Sequence, residues 1–399
     1  MLSIYEGFFS GGARIVHSDV VMGLHEGGQR HSVLSLNGEM YREATRQRME
    51  DDVCFRSLTG AGVPVTSLGR GHGASDAADA FTGPELAAAA RAMAGADVIL
   101  SLKEQPLGLL NQAGLPRRPV VVCLHRSDPE NQGAALDELR TAVADGRIAA
   151  AICCAESTRA AYAAAGIPAE LLHVIPNGVD LLRFRPDPFR RALLRASLGI
   201  PADAPVIVFA ARYAEMKNVP LFLRAARAWL RRRPEGHVLM CGAGMTRANA
   251  ALREDMATAF GDEASLTDRV SLLGVRDDME IVYAAADVVS LTSSSGEAAP
   301  LSLIEGMMCG AVPVATDVGD CASIVAGHGF LTPLDAEAVA RAWCEAVERG
   351  AEFAPALALS RERFSRTRMI AAYAGLVERV GGGAGRVSLP VPEPLPEPF

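Results

Sequence analysis

Two glutamates eight positions apart, Glu297 and Glu305, stand in the segment SSSGEAAPLSLIEGMMCG. The run before them, 286–292, reads as a buried strand, and the small residues that follow read as a loop. Pro300 suits the start of a helix, which Gly310 would close. A helix beginning there aims free backbone N–H groups and the positive end of its dipole at the strand tip, a ready phosphate site. Glu297 precedes that helix and Glu305 lies one turn inside it. Carboxylates accept hydrogen bonds from paired hydroxyls, as a sugar offers. Taken alone, two helical glutamates fit an ordinary solvated face better than a ligand.

A second set is ARYAEMKN at 211–218, again past an apolar strand. Arg212 and Lys217 would place two cations at that strand tip, where they could neutralise a diphosphate leaving group. Of the 39 basic residues only Lys103 and Lys217 are lysine, so a compact point charge at Lys217 stands out. A solvated charged loop explains these residues equally well. Near the N-terminus, Ser10-Gly11-Gly12-Ala13-Arg14 permits close backbone approach to an anion or sugar, or makes a plain turn. His125 ends the apolar run PVVVCLH, the exit position at which a strand delivers functional side chains. Gly242 and Val275, at two further strand ends, could receive a nucleobase, although turns with glycine occur throughout folds of this kind.

The elements that must position these residues alternate along the chain. Strands are expected at 31–36, 96–102, 119–125, 148–154 and 172–176, then at 205–212, 236–242, 269–274, 286–292, 311–316 and 329–332. Runs such as VVVCL, VIVFAA and HVLMCG are apolar on both faces, as central parallel strands covered by helices require. Helical periodicity fills segments such as 84–94 and 221–232. Repeated βα units mean a doubly wound α/β sheet, and eleven strands exceed one ordinary core, so two Rossmann-like domains are expected. Facing one another, two such domains would form a cleft. The boundary lies at 176–188, PNGVDLLRFRPDP, where prolines and Asn-Gly break all periodicity. The Gly- then Pro-rich tail from Gly381 reads as disordered or as an extended linker end.

Composition narrows the function classes. A chain of 399 residues, 49% hydrophobic and 22% charged, can bury a sizeable core. Its net charge of −8 argues against a nucleic-acid surface. No apolar run approaches the roughly 18 residues that span a bilayer. The opening MLSIYEGFFSGG has no basic start and does not read as a secretory signal, so the cytoplasm is the expected compartment. The eight cysteines form no zinc-like pattern and are expected to be buried thiols.

Together these residues resemble the retaining glycosyltransferases of family 4, which have the GT-B fold, over about 10–380. The most specific element is the E-x7-E pattern from Glu297 to Glu305, within EAAPLSLIEGMMCGAVPVAT. ARYAEMKN fits the family's Arg/Lys diphosphate pair, VIPNGVD its interdomain hinge, and 364–380 its C-terminal crossover helix. The resemblance implies an N-terminal acceptor-binding domain over 1–178, joined by the crossover helix, and a nucleotide-sugar-binding domain over 179–363. It gives roles residue by residue. Gly11 and Gly12 would approach the donor, and Arg212 and Lys217 its diphosphate. Glu305 would take the ribose hydroxyls, Glu297 a hydroxyl of the transferred sugar, and His125 the sugar near its reacting carbon. Ala298, Ala299, Pro300 and Leu301 would complete the phosphate cradle through backbone groups, Pro300 having no N–H to give.

The implied reaction moves a hexosyl group from a nucleoside-diphosphate sugar to an acceptor hydroxyl, with retention and without a metal or other cofactor. No carboxylate stands out as a covalent nucleophile, so the resemblance implies a front-face mechanism. The sequence departs from the family at TSSSGE and at Ala298-Ala299, where a Gly-Phe pair is frequent, which bears on the sugar pocket. Residues 1–178 hold 15 Lys/Arg and 20 Asp/Glu, favouring a soluble, even cationic, small-molecule acceptor over an anionic lipid. The mixed charges of 40–52 point the same way, and an antibiotic or other natural-product intermediate is the expected acceptor class. Two alternatives stay open: a GT-B sugar-nucleotide epimerase, and a non-catalytic nucleotide-sugar-binding protein.

Overall fold

The computed structural model describes residues 1–9, 11–42, 45–71 and 80–382. The chain divides into two compact units, Met1–Gly178 with Ser365–Phe399, and Val179–Phe364. The segment 383–399, most of the tail expected to be disordered, lies outside the described residues.

The first unit is built on a seven-stranded parallel sheet. Its strands are β1 (Leu2–Tyr5), β2 (Ser32–Asn37), then, after a hairpin of β3 (Glu39–Arg42) and β4 (Thr45–Arg48), β5 (Val65–Arg70), β6 (Ile99–Leu102), β7 (Val120–Leu124), β8 (Ile148–Cys153) and β9 (Leu172–Val174). The order is β5-β2-β1-β6-β7-β8-β9. The opening residues LSIY are therefore a central strand, buried at every position and paired in parallel with β2 and β6. Four apolar-leaning residues are too short a run to show periodicity, which is why the sequence reading passed over them. It also passed over β5, whose VTSLGR carries polar residues because an edge strand needs apolar cover on fewer sides. The described residues of 40–52 fall mostly in the paired strands β3 and β4 and a short helical turn at Met49–Asp51.

The second unit has six parallel strands, β10 (Val206–Ala210), β11 (His237–Cys241), β12 (Val270–Gly274), β13 (Val288–Leu291), β14 (Val312–Thr316) and β15 (Phe330–Thr332), in the order β12-β11-β10-β13-β14-β15. Alternate residues of one strand feed opposite cores. Val206 and Val208 join Leu239, Leu291 and Leu303 on one face. Ile207 and Phe209 join Phe222, Trp229 and Trp343 on the other. That is why VIVFA must be apolar throughout. The Trp343 indole also donates to Ser290 Oγ (3.0 Å), so its one polar atom is satisfied inside the core.

The chain re-enters the first unit after Phe364 and forms the helix Arg366–Val380. It packs on the helix Gly12–Glu26, where Gly23 leaves room for Ile370: a Cβ at that position would overlap the Ile370 side chain. Seven of the eight cysteines are buried and Cys344 is partly so, all as free thiols. Burial raises several of them, Cys123, Cys241 and Cys321 to about 12, which leaves them protonated and unreactive. No helix among the described residues is long and apolar enough to cross a membrane.

Candidate active site

In the second unit the expected residues gather along the carboxyl ends of β10 to β13. Past β10 the chain makes a short turn, Glu215–Lys217, and then Asn218 adopts a left-handed conformation (φ 50°). From there its Oδ1 accepts the Leu221 N–H (3.3 Å) and starts the helix Val219–Arg232. The turn is tied to the tip of β13: Thr292 Oγ1 donates to the Lys217 carbonyl (3.2 Å), and the Ser294 N–H to that of Met216 (2.9 Å). Lys217 is thereby delivered to Glu297, whose Oε1 accepts from both the Lys217 ammonium and Ser293 Oγ (2.6 Å). Both ions are largely withdrawn from water, the lysine side chain 16% exposed and the glutamate 8%.

The loop carrying Glu297, Ala298 and Ala299 is set from β14. Thr316 Oγ1 donates to the Ser293 carbonyl (2.6 Å), and the Asp320 N–H to that of Ala298 (2.9 Å). Gly319, at φ 60°, lies so close beneath that a Cβ would overlap the Glu297 carbonyl oxygen. Pro300 then opens the helix Leu301–Met308 as its N-cap and offers no side-chain oxygen to the first turn. Its first backbone N–H groups have no intrahelical acceptor. Glu305, one turn in, accepts from the buried Tyr283 hydroxyl; burial and that carboxylate push the phenol well above its usual range.

Arg212 is partly exposed two residues past β10. Gly242 is pressed against the same backbone: at φ 130° its Cβ would overlap the Ala211 carbonyl, and its N–H donates to Gly274 (2.8 Å). Val275 follows Gly274 with its side chain 63% exposed. The structure thus joins Lys217 to Glu297 directly and aligns Arg212, Gly242, Val275, Ala298 to Leu301 and Glu305 along one rim of this unit.

In the first unit, Gly11 is extended (φ 170°) and Gly12 starts the helix Gly12–Glu26; Ser10 lies outside the described residues. Arg14, in the first turn, is buried against Asp52 (2.9 Å) and stacks 4.9 Å over the Phe9 ring. Asp52 also caps the helix Val53–Gly60 by accepting the Cys54 N–H (2.8 Å) and takes a hydrogen bond from Gln47 (2.9 Å). This buried pair anchors the glycine turn. His125 follows β7 directly, and its buried Nε2 has no hydrogen-bond partner. Burial, reinforced by the charges of Lys103 and His17, lowers it to about 3, so the ring is neutral near pH 7. Beside it at the end of β6, Lys103 holds a left-handed conformation (φ 66°) and Glu104 is fully buried, accepting from the Tyr162 hydroxyl. Burial raises Glu104 to about 7.

Sequence reasoning missed Ser293, Gly319, Tyr283, Asp52 and the Lys103–Glu104 turn. For Lys103 a signal existed, since it is the other of the two lysines. Among the described residues no group of three or more His, Cys, Asp or Glu is arranged to hold a metal ion.

Residues 10–183 match the family described as Glycosyltransferase Family 4, and 204–349 match Glycosyl transferases group 1. The chain belongs to glycosyltransferase family 4. The D-inositol 3-phosphate glycosyltransferase of Nocardia farcinica is 31% identical over 173 residues, 43% of this chain and 38% of that protein. The enzyme of the same name from Saccharomonospora viridis is 36% identical over 163 residues, 38% of this chain and 35% of that one. The match to this family member thus spans less than half the length of these curated relatives. Among solved structures, Anabaena HepE in complex with UDP superposes with a TM-score of 0.78 at 23% identity, covering 95% of this chain and 99% of that one. HepE in complex with UDP-glucose gives 0.77. The likeness gives this family 4 chain the GT-B fold, two Rossmann-like sheets.

Proposed function

We propose that this chain transfers a hexosyl group from a nucleoside-diphosphate sugar to an acceptor hydroxyl, with retention and without a metal. The Lys217–Glu297 pair, beside the Pro300 start of the helix Leu301–Met308, carries this reading. A donor entering there exchanges the partners of both ions. Lys217, with Arg212 and the first N–H groups of that helix, takes the diphosphate, and Glu297 turns from the ammonium to a hydroxyl of the transferred sugar. Negative charge grows on the diphosphate as the anomeric bond breaks, so fixed cations bind the transition state more tightly than the ground state. Glu305, held by Tyr283, is assigned the ribose hydroxyls, and the rim at Gly242 and Val275 the base.

For the first unit we assign Gly11, Gly12 and the neutral His125 to the sugar and acceptor side of the reaction. The neutral imidazole can accept from a sugar hydroxyl without adding charge near the reacting carbon. The leaving phosphate takes the acceptor proton. UDP is the first nucleotide to test because HepE was solved with it; the sugar is glucose on the same ground. Small-molecule acceptors from natural-product pathways stand beside D-inositol 3-phosphate, the compound in the curated relatives' name.

A thermal-shift panel of UDP, GDP, dTDP and ADP tests the donor half; a ligand at 100 times its dissociation constant stabilises by about 2.7 kcal/mol. The matching nucleotide sugar should then be slowly hydrolysed without acceptor, giving the α-configured product from an α-donor. Isomerised donor, or tight binding with neither product, refutes transfer.

A further inference from the structure

The chain past β10 is fastened twice to the structure that follows β11. The Tyr213 N–H donates to the Ala243 carbonyl (2.7 Å), and the Tyr213 phenol donates to Asp255 Oδ2 (2.7 Å) on the helix Ala250–Phe260. Gly244 makes the close approach possible: at φ 79°, a Cβ there would overlap the Tyr213 Cβ. Asn249 closes the frame. Its amide donates to the Gly244 carbonyl (3.0 Å), while its Oδ1 accepts the Ala251 N–H (3.1 Å) and caps the same helix. The loop after β11 and the helix carrying Asp255 are thus tied together, and Tyr213 joins the tip of β10 to both.

Packing alone would be served by an aliphatic side chain at 213; the phenol adds a directed bond to a carboxylate, the stronger class of hydrogen bond. Burial raises the phenol, and the bond to Asp255 and its charge reinforce this, to about 12, so the hydroxyl keeps its proton and donates near neutral pH. The residue held between these fastenings is Arg212. On one side the Ala211 N–H donates to the Cys241 carbonyl (2.9 Å), and on the other stand the two bonds of Tyr213. A cation that is to meet developing charge must be set before the reaction, and a displacement of about 1 Å can cost about 10²-fold in rate.

We propose that Tyr213, through its bond to Asp255, is a positioning residue that fixes Arg212 against the donor diphosphate. The inference rests on the donor site proposed above. Its test uses whichever of UDP, GDP, dTDP and ADP binds the full chain most tightly, together with the glucose conjugate of that nucleotide. Tyr213→Phe removes the hydroxyl alone and should weaken nucleotide binding and lower kcat/KM by about fivefold or more, in a chain that still unfolds cooperatively. Asp255→Asn keeps an oxygen for the phenol and should stay within about twofold of the native chain, whereas Asp255→Ala should match Tyr213→Phe. Because the bond acts through Arg212, Tyr213→Phe should add nothing in an Arg212→Ala background; a purely structural role would cost the same in both. Native binding and turnover in Tyr213→Phe, or an additive loss in the double variant, overturns the inference while leaving the donor site intact. An Arg212→Ala chain that binds and turns over normally, or a native chain that binds none of the four nucleotides, removes the donor site and this inference with it.

Discussion

Replacing Lys217 with Met separates what the Lys217–Glu297 pair does for the fold from what it does for chemistry. The substitution leaves a carboxylate that is 8% exposed and still accepts from Ser293 Oγ at 2.6 Å. Two unit charges about 4 Å apart attract by roughly 4 kcal/mol at an effective dielectric of 20, and desolvation offsets much of that. A net loss of about 2–3 kcal/mol is expected, below the 3–5 typical of fully buried pairs because the lysine keeps some contact with water. The midpoint of unfolding should fall by roughly 2–4 °C for each kcal/mol. Turnover should fall further, by about 10²–10³, the usual effect of deleting one group that stabilises developing charge. Adding Glu297→Gln removes the stranded charge while keeping an oxygen for Ser293. Denaturant unfolding and initial-rate assays of the two variants then give opposite answers: the double variant regains stability and stays inactive. A Lys217→Met chain that turns over normally, or a double variant that regains turnover, would falsify the assignment of Lys217 to the leaving diphosphate.

Gly319→Ala combines a left-handed φ with overlap against the Glu297 carbonyl, so the Glu297–Ala299 loop must shift. Donor affinity should drop at least tenfold with a stability loss of about 1–3 kcal/mol, read by nucleotide-sugar titration and thermal unfolding. Glu104 tests the electrostatics of the first unit. Its carboxyl is raised from 4.5 to about 7, so the folded state holds a proton that the unfolded state releases, and stability falls as pH rises across that window. His17, lowered from 6.5 to about 3, has the opposite sign: its contribution is lost as pH falls between those values. Glu104→Gln keeps an acceptor for Tyr162 and should raise the midpoint at pH 8 but not at pH 4.5, by an amount bounded at about 3 kcal/mol. An equal shift at both values would refute a titrating Glu104.

The E-x7-E spacing and the Arg212/Lys217 pair were legible because their chemistry is written in residue type and in distance along the chain. The supports behind them were not. Ser293, Thr292 and Gly319 act through neighbouring strand tips, and which tips are neighbours depends on sheet order, which periodicity does not encode. The core strands showed themselves where both faces are apolar, as in VVVCL and VIVFA. β1 did not, because four residues at a chain start carry too little pattern, although it lies at the centre of its sheet. The helix Pro188–Ser197 was opaque for a related reason: helical spacing marks an apolar face without saying that Arg191 and Arg195, bonded to Asp287, take the inner one and leave Phe189 and Leu193 exposed.

Because the first unit is discontinuous, its assembly has an order in time. On a ribosome the face of the Gly12–Glu26 helix that holds Ile370 against Gly23 emerges early, and its partner arrives some 350 residues later. At about 5–20 residues per second that is a wait of roughly 17–70 s. Val179–Phe364, an uninterrupted stretch, can complete its sheet during that interval. The nascent chain therefore carries a finished second half beside a first half whose helix bed is still open, and any holdase that protects this protein during synthesis should be found on the Gly23 face.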